Sequence, residues 1–539
     1  MNAAEKDVTV VPRGTGQAQE QREVNSTDNC KVSGKNAGLA HHGLTMWRKF
    51  LAMWSERLGK FLTGENLKAR AARGGLWAGA GSGVDQGLRL ARNMILTRLL
   101  APEVFGLMAI VFAVNTFFES FTDVGIDTAI LQSPRSEERT YLNGAFWISL
   151  GRALGLYALI FVGAPWVSQF YHQPSLADLM RVVFLGTLFR GAISPMTYVA
   201  HKKMDFKRLV IINQGSGVCG IATTLLLAFA MRNVWALAIG FTVEAAVRCA
   251  LSYLVCPFRP GFTLDKESLR ELYKFSRGVL GLPILTFIFM RADIFVIGKL
   301  CSAADLGIYS MVAALGQIPF SLVGTLMGQI ANPAFSEIQN DSARLNRALL
   351  KVTSGLGLFI FTPILYVVLY GKDMLQVAYG GAYAKAAVPF AMLFSIAMLR
   401  MLSVPVMSLY YMIGRPELNR WFTVVRTVVI VLLIYPATKW YGLTGAAAAG
   451  LIAMVIGYVL QVGRLRKIIG LDLRQYSRTF WKGLPISLSV AVVWIATHNT
   501  LHPAPLSQIV LGAAACVLGY AIIFLHRDWR RSTSMASGA

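Results

Sequence analysis

Acidic residues are scarce in this chain: 28 Asp and Glu stand against 52 Lys and Arg, a formal net charge of +24 over 539 residues. Charge of either sign is scarce as well. Only 15% of residues are charged and 55% are hydrophobic, where a soluble chain would carry about a quarter charged; the mean hydropathy is +0.51. These values exclude an ordinary soluble enzyme. In a soluble chain the positive excess would suggest nucleic acid, but here it gathers in loops between apolar runs, as it does on the cytoplasmic side of membrane proteins. No nucleic-acid partner is expected. Cysteines are few, and Cys30, Cys219, Cys249, Cys256, Cys301 and Cys516 show neither a disulfide framework nor metal spacing. Most fall inside apolar runs and read as small packing groups. His41, His42, His201, His498, His502 and His526 lie in tails, loops or run ends, again without metal spacing.

Catalytic signatures are missing too. There is no Walker A sequence, and the Gly79-Ala-Gly81-Ser-Gly83 run sits inside an apolar stretch with no strand before it, so it does not cradle a nucleotide. No apolar region follows Met1, which argues against a secretory signal. Loops on the outer side are at most roughly 15 residues long, and His498 to Pro505 holds no acid. A membrane-bound glycosyltransferase or polymerase would offer a larger loop with acids or histidines. The sequence reads as a non-enzyme with no cofactor and no metal.

What is present is a series of apolar runs, each long enough to cross a ~30 Å hydrocarbon core as a helix. The expected fold is an all-α polytopic membrane protein of about fourteen transmembrane helices, two six-helix lobes and two extra C-terminal helices. The approximate spans are 74–98, 103–125, 142–168, 176–200, 209–231, 234–256, 276–298, 306–331, 346–370, 385–412, 417–437, 443–463, 482–498 and 506–526. Residues 1–43 read as a disordered tail. Within 44–73, Leu44, Trp47, Leu51, Trp54, Leu58 and Phe61 recur at spacings of three and four among basic residues, which predicts an amphipathic interfacial helix. The N-terminal lobe is expected at 74–257, a cytoplasmic linker at 258–275 and the C-terminal lobe at 276–463. A basic loop with helices 13 and 14 covers 464–526, and a cytoplasmic tail 527–539. With the N-terminus inside, inner loops carry roughly 25 Lys and Arg against about 6 outside, and both termini are cytoplasmic.

The chain is organised around Arg98-Leu-Leu-Ala-Pro-Glu-Val-Phe-Gly106, a polar break between two apolar runs. The layout returns about two hundred residues later at Lys299-Leu-Cys-Ser-Ala-Ala-Asp-Leu-Gly307, one offset aligning Arg98 with Lys299 and Gly106 with Gly307. An even number of spans lies between the copies, so the halves are parallel repeats related by an axis along the membrane normal.

Charges inside the membrane locate a site. An arginine or aspartate at mid-membrane costs about 2.5–3.5 kcal/mol, so such residues usually face a bundle interior or a wet cavity. Arg89, Arg92, Arg291, Arg400 and Arg426 are the first candidates for lining a cationic cavity, with Arg152, Arg190 and Arg248 next. Asp85–Arg89 and Glu244–Arg248 are four apart, which lets each acid orient its arginine. Asp85, Glu244 and Asp293 are candidates for ion coupling.

These segments resemble the polysaccharide transporter family of bacterial lipid-linked oligosaccharide flippases, within the multidrug/oligosaccharidyl-lipid/polysaccharide exporter superfamily. The resemblance is carried by Leu96-Thr-Arg-Leu-Leu-Ala-Pro-Glu-Val-Phe-Gly-Leu107, by Phe121-Thr-Asp-Val-Gly-Ile126 with Ala129-Ile-Leu-Gln132, and by Arg291-Ala-Asp-Ile-Phe-Val-Ile-Gly298 with Leu306-Gly-Ile-Tyr309. Pro333-Ala-Phe-Ser336 fits too, and the colanic-acid and succinoglycan exporter branch is the most similar. The resemblance implies alternating access through a central cationic cavity without ATP hydrolysis. The implied cargo is an undecaprenyl-diphosphate-linked oligosaccharide crossing the bacterial inner membrane for exopolysaccharide or lipopolysaccharide biosynthesis. Membrane lipids and the polysaccharide polymerase and chain-length proteins are the implied partners. An ion-coupled small-molecule exporter and a membrane enzyme of polysaccharide assembly are the alternatives; the first would want an acid-rich cavity, the second a catalytic outer loop.

Overall fold

The structure is a computed structural model that describes residues 67–122, 125–262, 265, 282–321, 335, 341–481, 483–500 and 504–536. The chain divides into two units, Met1–Arg70 and Ala71–Ala539, and the helical bundle belongs to the second. The expected tail 1–43, nearly all of the interfacial helix 44–73, most of the linker 258–275, the later part of the 306–331 span and Pro333–Ser336 apart from Phe335 lie outside the described residues.

The described residues are almost wholly helical. In the first half, α1 (Leu67–Leu99), α2 (Pro102–Phe121), α3 (Ile126–Gln132), α4 (Arg139–Tyr171), α5 (Leu176–Gly191), α6 (Met196–Lys202), α7 (Phe206–Met231) and α8 (Trp235–Val255) follow in order. The second half holds α9 (Leu282–Leu300), α10 (Ala303–Gly316), α11 (Ser342–Tyr379), α12 (Ala387–Met412) and α13 (Pro416–Ile469), then α14 (Leu473–Trp481), α15 (Leu484–Thr500) and α16 (Pro505–Ala536). This is an all-α multi-pass membrane protein. Among the described residues eight helices are long and apolar enough to cross a membrane. One of them is α13, 54 residues that break at Gly442 (φ 56°). A Cβ at Gly445 would overlap the Ala437 carbonyl, so the chain doubles back there and α13 is a tight hairpin of two arms.

Helix boundaries follow local chemistry. The expected 103–125 span stops at Phe121 because Gly125, left-handed at φ 59°, redirects the chain into α3. The expected 176–200 span ends at Gly191, and Pro195 then starts the separate short helix α6. The repeated break is built twice with different residues. Ala101 is extended and Pro102 opens α2, where its missing N–H costs nothing. In the second copy Ser302 caps α10 by accepting from the Asp305 N–H at 3.1 Å. Its hydroxyl also donates to the Asp305 carboxylate, which pairs with Lys385 at 2.9 Å. Burial alone would raise the Asp305 carboxyl, but Lys385 and Ser302 outweigh it and hold it below the ordinary carboxylate range.

Within the first half α5 packs on α4 and α8, and α7 packs on α8; within the second, α13 packs on α9 and α12, and α11 on α12. The halves meet chiefly where α2 crosses α10 and α9. At the α2–α10 crossing Gly106 and Gly307 touch: a Cβ on either would stand 3.1 or 3.0 Å from the other's amide nitrogen and overlap the Ala303 or Pro102 carbonyl. Two cations flank this contact. Arg98, ending α1, donates to the Val377 carbonyl in the last turn of α11 at 2.9 Å. Lys299, ending α9, donates to the Phe170 carbonyl in the last turn of α4 at 2.6 Å and lies 4.4 Å from the Phe170 ring centroid. Last-turn carbonyls lack intrahelical partners and favour a cation. The residues aligned by the repeat thus perform the same task in exchange, each half capping a helix of the other.

Candidate functional site

Two cavities lie where the halves face each other. The first, about 480 Å³, is lined by Arg89 and Arg92 of α1, Asn115 and Glu119 of α2, Arg190 of α5, Glu244 and Arg248 of α8, and Arg291 of α9. The second, about 930 Å³, is lined by Arg291 and Asp293 of α9, Tyr309 of α10, Gln317, Arg400 of α12 and Arg420 of α13. Thr116, Arg291 and Ser310 line both. Five arginines and two glutamates line the first cavity.

The acids in and beside the first cavity are already engaged. Asp85 accepts from Arg89 at 2.9 Å, and Glu244 accepts from Arg248 at 3.0 Å while lying 3.6 Å from Arg89. The four-residue spacings on α1 and α8 therefore close as ion pairs, and Glu244 joins the two helices. Gly220 of α7 makes room for this, because a Cβ there would come within 2.6 Å of the Glu244 Cβ. Arg248 also donates to the Ser216 hydroxyl at 3.3 Å. Arg190 reaches Glu119 at 3.4 Å and lies over the Phe241 ring at 4.9 Å.

The remaining cations differ. Among the described residues Arg92 has no carboxylate within 4 Å and donates only to the Asn93 side chain, at 3.3 and 3.1 Å. Arg400 donates to Gln317 at 2.9 Å and stacks 4.0 Å from the Phe320 ring centroid. Arg291 makes no hydrogen bond, ion pair or ring contact among the described residues. It is exposed at the wall that both cavities share.

Three expected site residues line neither cavity: Arg152, Arg426, and Asp85, which Arg89 holds. Arg152 donates to the Thr122 carbonyl at 3.1 Å and the Glu119 carbonyl at 3.5 Å, closing the C-terminal end of α2. Arg426 is 7% exposed and lines neither cavity. It is held by the Thr423 hydroxyl at 3.2 Å, the Met454 sulfur at 3.8 Å and the Phe289 ring at 5.3 Å, and its Nε has no partner. Asp293 lines the second cavity, accepting from the Tyr309 hydroxyl at 2.9 Å and its own neighbour's amide at 2.8 Å.

Sequence reasoning missed Glu119, Asn115 and Arg420. The Thr187 hydroxyl lies 2.7 Å from the Asn115 carbonyl oxygen and 3.2 Å from Glu119, so the two α2 side chains and Arg190 form one network. The signal was available: Asn115 and Glu119 are four apart inside an apolar run, the same pattern that marks Asp85 and Arg89. Arg420 is easily taken for a loop charge because it follows Pro416 so closely.

Two helical halves around a chamber rich in arginine, in a multi-pass membrane protein, define a membrane-transporter fold. The chain belongs to the polysaccharide biosynthesis protein family, which it matches over residues 95–388. It is 21% identical over 435 residues to the lipopolysaccharide biosynthesis protein WzxC of Escherichia coli (strain K12), covering 79% of this chain and 87% of that protein. It is 24% identical to the succinoglycan biosynthesis transport protein ExoT of Rhizobium meliloti (strain 1021), covering 81% and 89%. Among solved structures, the lipid II flippase MurJ in an inward closed conformation has the same fold, with a TM-score of 0.70 at 13% identity, covering 84% of this chain and 99% of that one.

Proposed function

We propose that this protein is a flippase that turns an oligosaccharide repeat linked to undecaprenyl diphosphate from the inner to the outer leaflet of the bacterial inner membrane. It would serve exopolysaccharide or lipopolysaccharide biosynthesis, working by alternating access with both termini in the cytoplasm. The observation that carries this reading is Arg291, a cation with no hydrogen bond and no carboxylate within 4 Å among the described residues, on the wall common to two cavities. An isolated guanidinium in such a place is expensive unless an anion or water meets it. A diphosphate supplies several charged oxygens for it and for Arg92, and arginine suits phosphate recognition. The two glutamates of the first cavity, which would attract a cationic drug, are instead held by arginines. The names of WzxC, ExoT and MurJ support the same class of cargo. Polymerase and chain-length proteins are the natural partners downstream.

The test is made in the source cells and in vesicles. Cells lacking the protein should accumulate lipid-linked oligosaccharide on the inner leaflet, and vesicles carrying it should expose that lipid to an external glycosidase. Equal exposure in empty vesicles sinks the proposal. In the same vesicles we propose Asp293 as the coupling carboxyl, since of the three candidate acids it alone has no arginine within 4 Å among the described residues. Asp293→Asn should abolish acceleration by a proton gradient and leave lipid binding unchanged. Acceleration equal to the parent's removes Asp293 from that role.

A further inference from the structure

A third cavity, about 410 Å³, adjoins the first through a shared side chain, Arg248. It lies at the end of the bundle where α7 begins and α8 finishes. Its walls have a different chemistry from the arginine-lined chamber: Tyr198, His201, Phe206, Asn213 and Gln214 provide rings and neutral hydrogen-bonding groups, and Arg248 is the one guanidinium among them. Gln214 is fixed by donating to the Gly81 carbonyl of α1 at 3.1 Å, which leaves its amide oxygen to the cavity. His201 and Phe206 meet edge to face with centroids 6.4 Å apart. Asn213, next to Gln214 on α7, is exposed, and its side-chain amide makes no hydrogen bond among the described residues.

We propose that this cavity is a subsite for the sugar residues of the cargo, placed beside the arginine-lined chamber that takes the diphosphate. The assignment rests on the flippase reading above and adds which part of the cargo is recognised where. A sugar hydroxyl both donates and accepts, and a carboxamide is the side chain that answers both roles at once. A ring face offers the apolar platform that the C–H side of a pyranose needs. Neutral amides and aromatic rings next to a guanidinium match the join between a glycan and its phosphate. They match neither an acyl chain, which wants no amide, nor a second phosphate, which wants more cations.

The experiment uses the full chain in detergent and two probes: polyprenyl-diphosphate oligosaccharide extracted from cells lacking the protein, and the same lipid after enzymatic removal of its sugars. The parent should bind the glycosylated lipid about tenfold more tightly than the trimmed one. Asn213→Leu should erase that preference while binding trimmed lipid as the parent does, and Asn213→Gln should retain most of it. Equal loss for both lipids in Asn213→Leu, or no loss for either, overturns the subsite. A parent that binds both lipids alike also overturns it and leaves the flippase reading standing. Binding of neither lipid overturns the flippase reading and the subsite with it.

Discussion

Arg291→Ala is expected to cut surface polysaccharide to a tenth or less of the parent level at equal protein abundance. The exposed side chain has no hydrogen bond or close ion pair to lose among the described residues, so its removal should leave folding and melting temperature close to unchanged. A charge-assisted bond to phosphate contributes about 1.5–3 kcal/mol, which is roughly a ten- to hundredfold change in cargo binding. Arg291→Lys should recover part of the activity, since a point charge replaces the fork but not its geometry. Arg426 supplies the contrast. It is buried against Thr423, Met454 and Phe289 with an unpartnered Nε, and replacing a buried ion by a residue of similar volume is often neutral or stabilising. Arg426→Met should therefore keep export within about twofold. If Arg291→Ala exports normally, or if Arg426→Met is the variant that fails, the assignment of cargo contacts is wrong.

The contrast between those two arginines marks what could be read from sequence. Apolar run length made the membrane fold legible, and a fixed offset exposed the repeat, because both depend on order along the chain alone. The i,i+4 acids and arginines were legible for the same reason: helical geometry settles that Asp85 reaches Arg89 and Glu244 reaches Arg248. Which face of each helix looks at the chamber was not. Arg291 and Arg426 are both single cations in apolar runs, yet packing turns one to open space and walls the other in. Glu119 was overlooked because its partners, Thr187 and Arg190, come from a helix about seventy residues away in sequence. The neutral cavity was invisible, since Asn213 and Gln214 are unremarkable until Arg248 of the next helix is seen beside them.

Gly106→Leu should give the second large effect, at the place where the halves touch. The α2 and α10 backbones lie so close at Gly106 and Gly307 that a single Cβ on either already overlaps a carbonyl of the other helix. Neither helix can yield locally, since each begins one turn away, at Pro102 and Ala303. The crossing itself must widen. Overpacking of this kind costs about 1–3 kcal/mol for an added methyl, so Gly106→Ala should lower the unfolding temperature in detergent by several degrees. Gly307→Ala should cost a similar amount. The double variant should cost less than the two separately, because the first alanine has already pushed the helices apart. Widening also strains the caps on either side, Arg98 to the Val377 carbonyl and Lys299 to the Phe170 carbonyl, both of which bridge the halves. If the chamber is to open alternately to each side of the membrane, this crossing is what must part. Gly106→Leu should hold it parted, leaving cargo binding intact and export below a tenth of the parent. Ser310→Cys, on the shared chamber wall, reports it, with the six native cysteines replaced first. An impermeant thiol reagent should reach that cysteine from the Gly106 end in Gly106→Leu and not in the parent. A folded Gly106→Leu protein that exports normally, with the same labelling as the parent, would mean that the halves do not separate here.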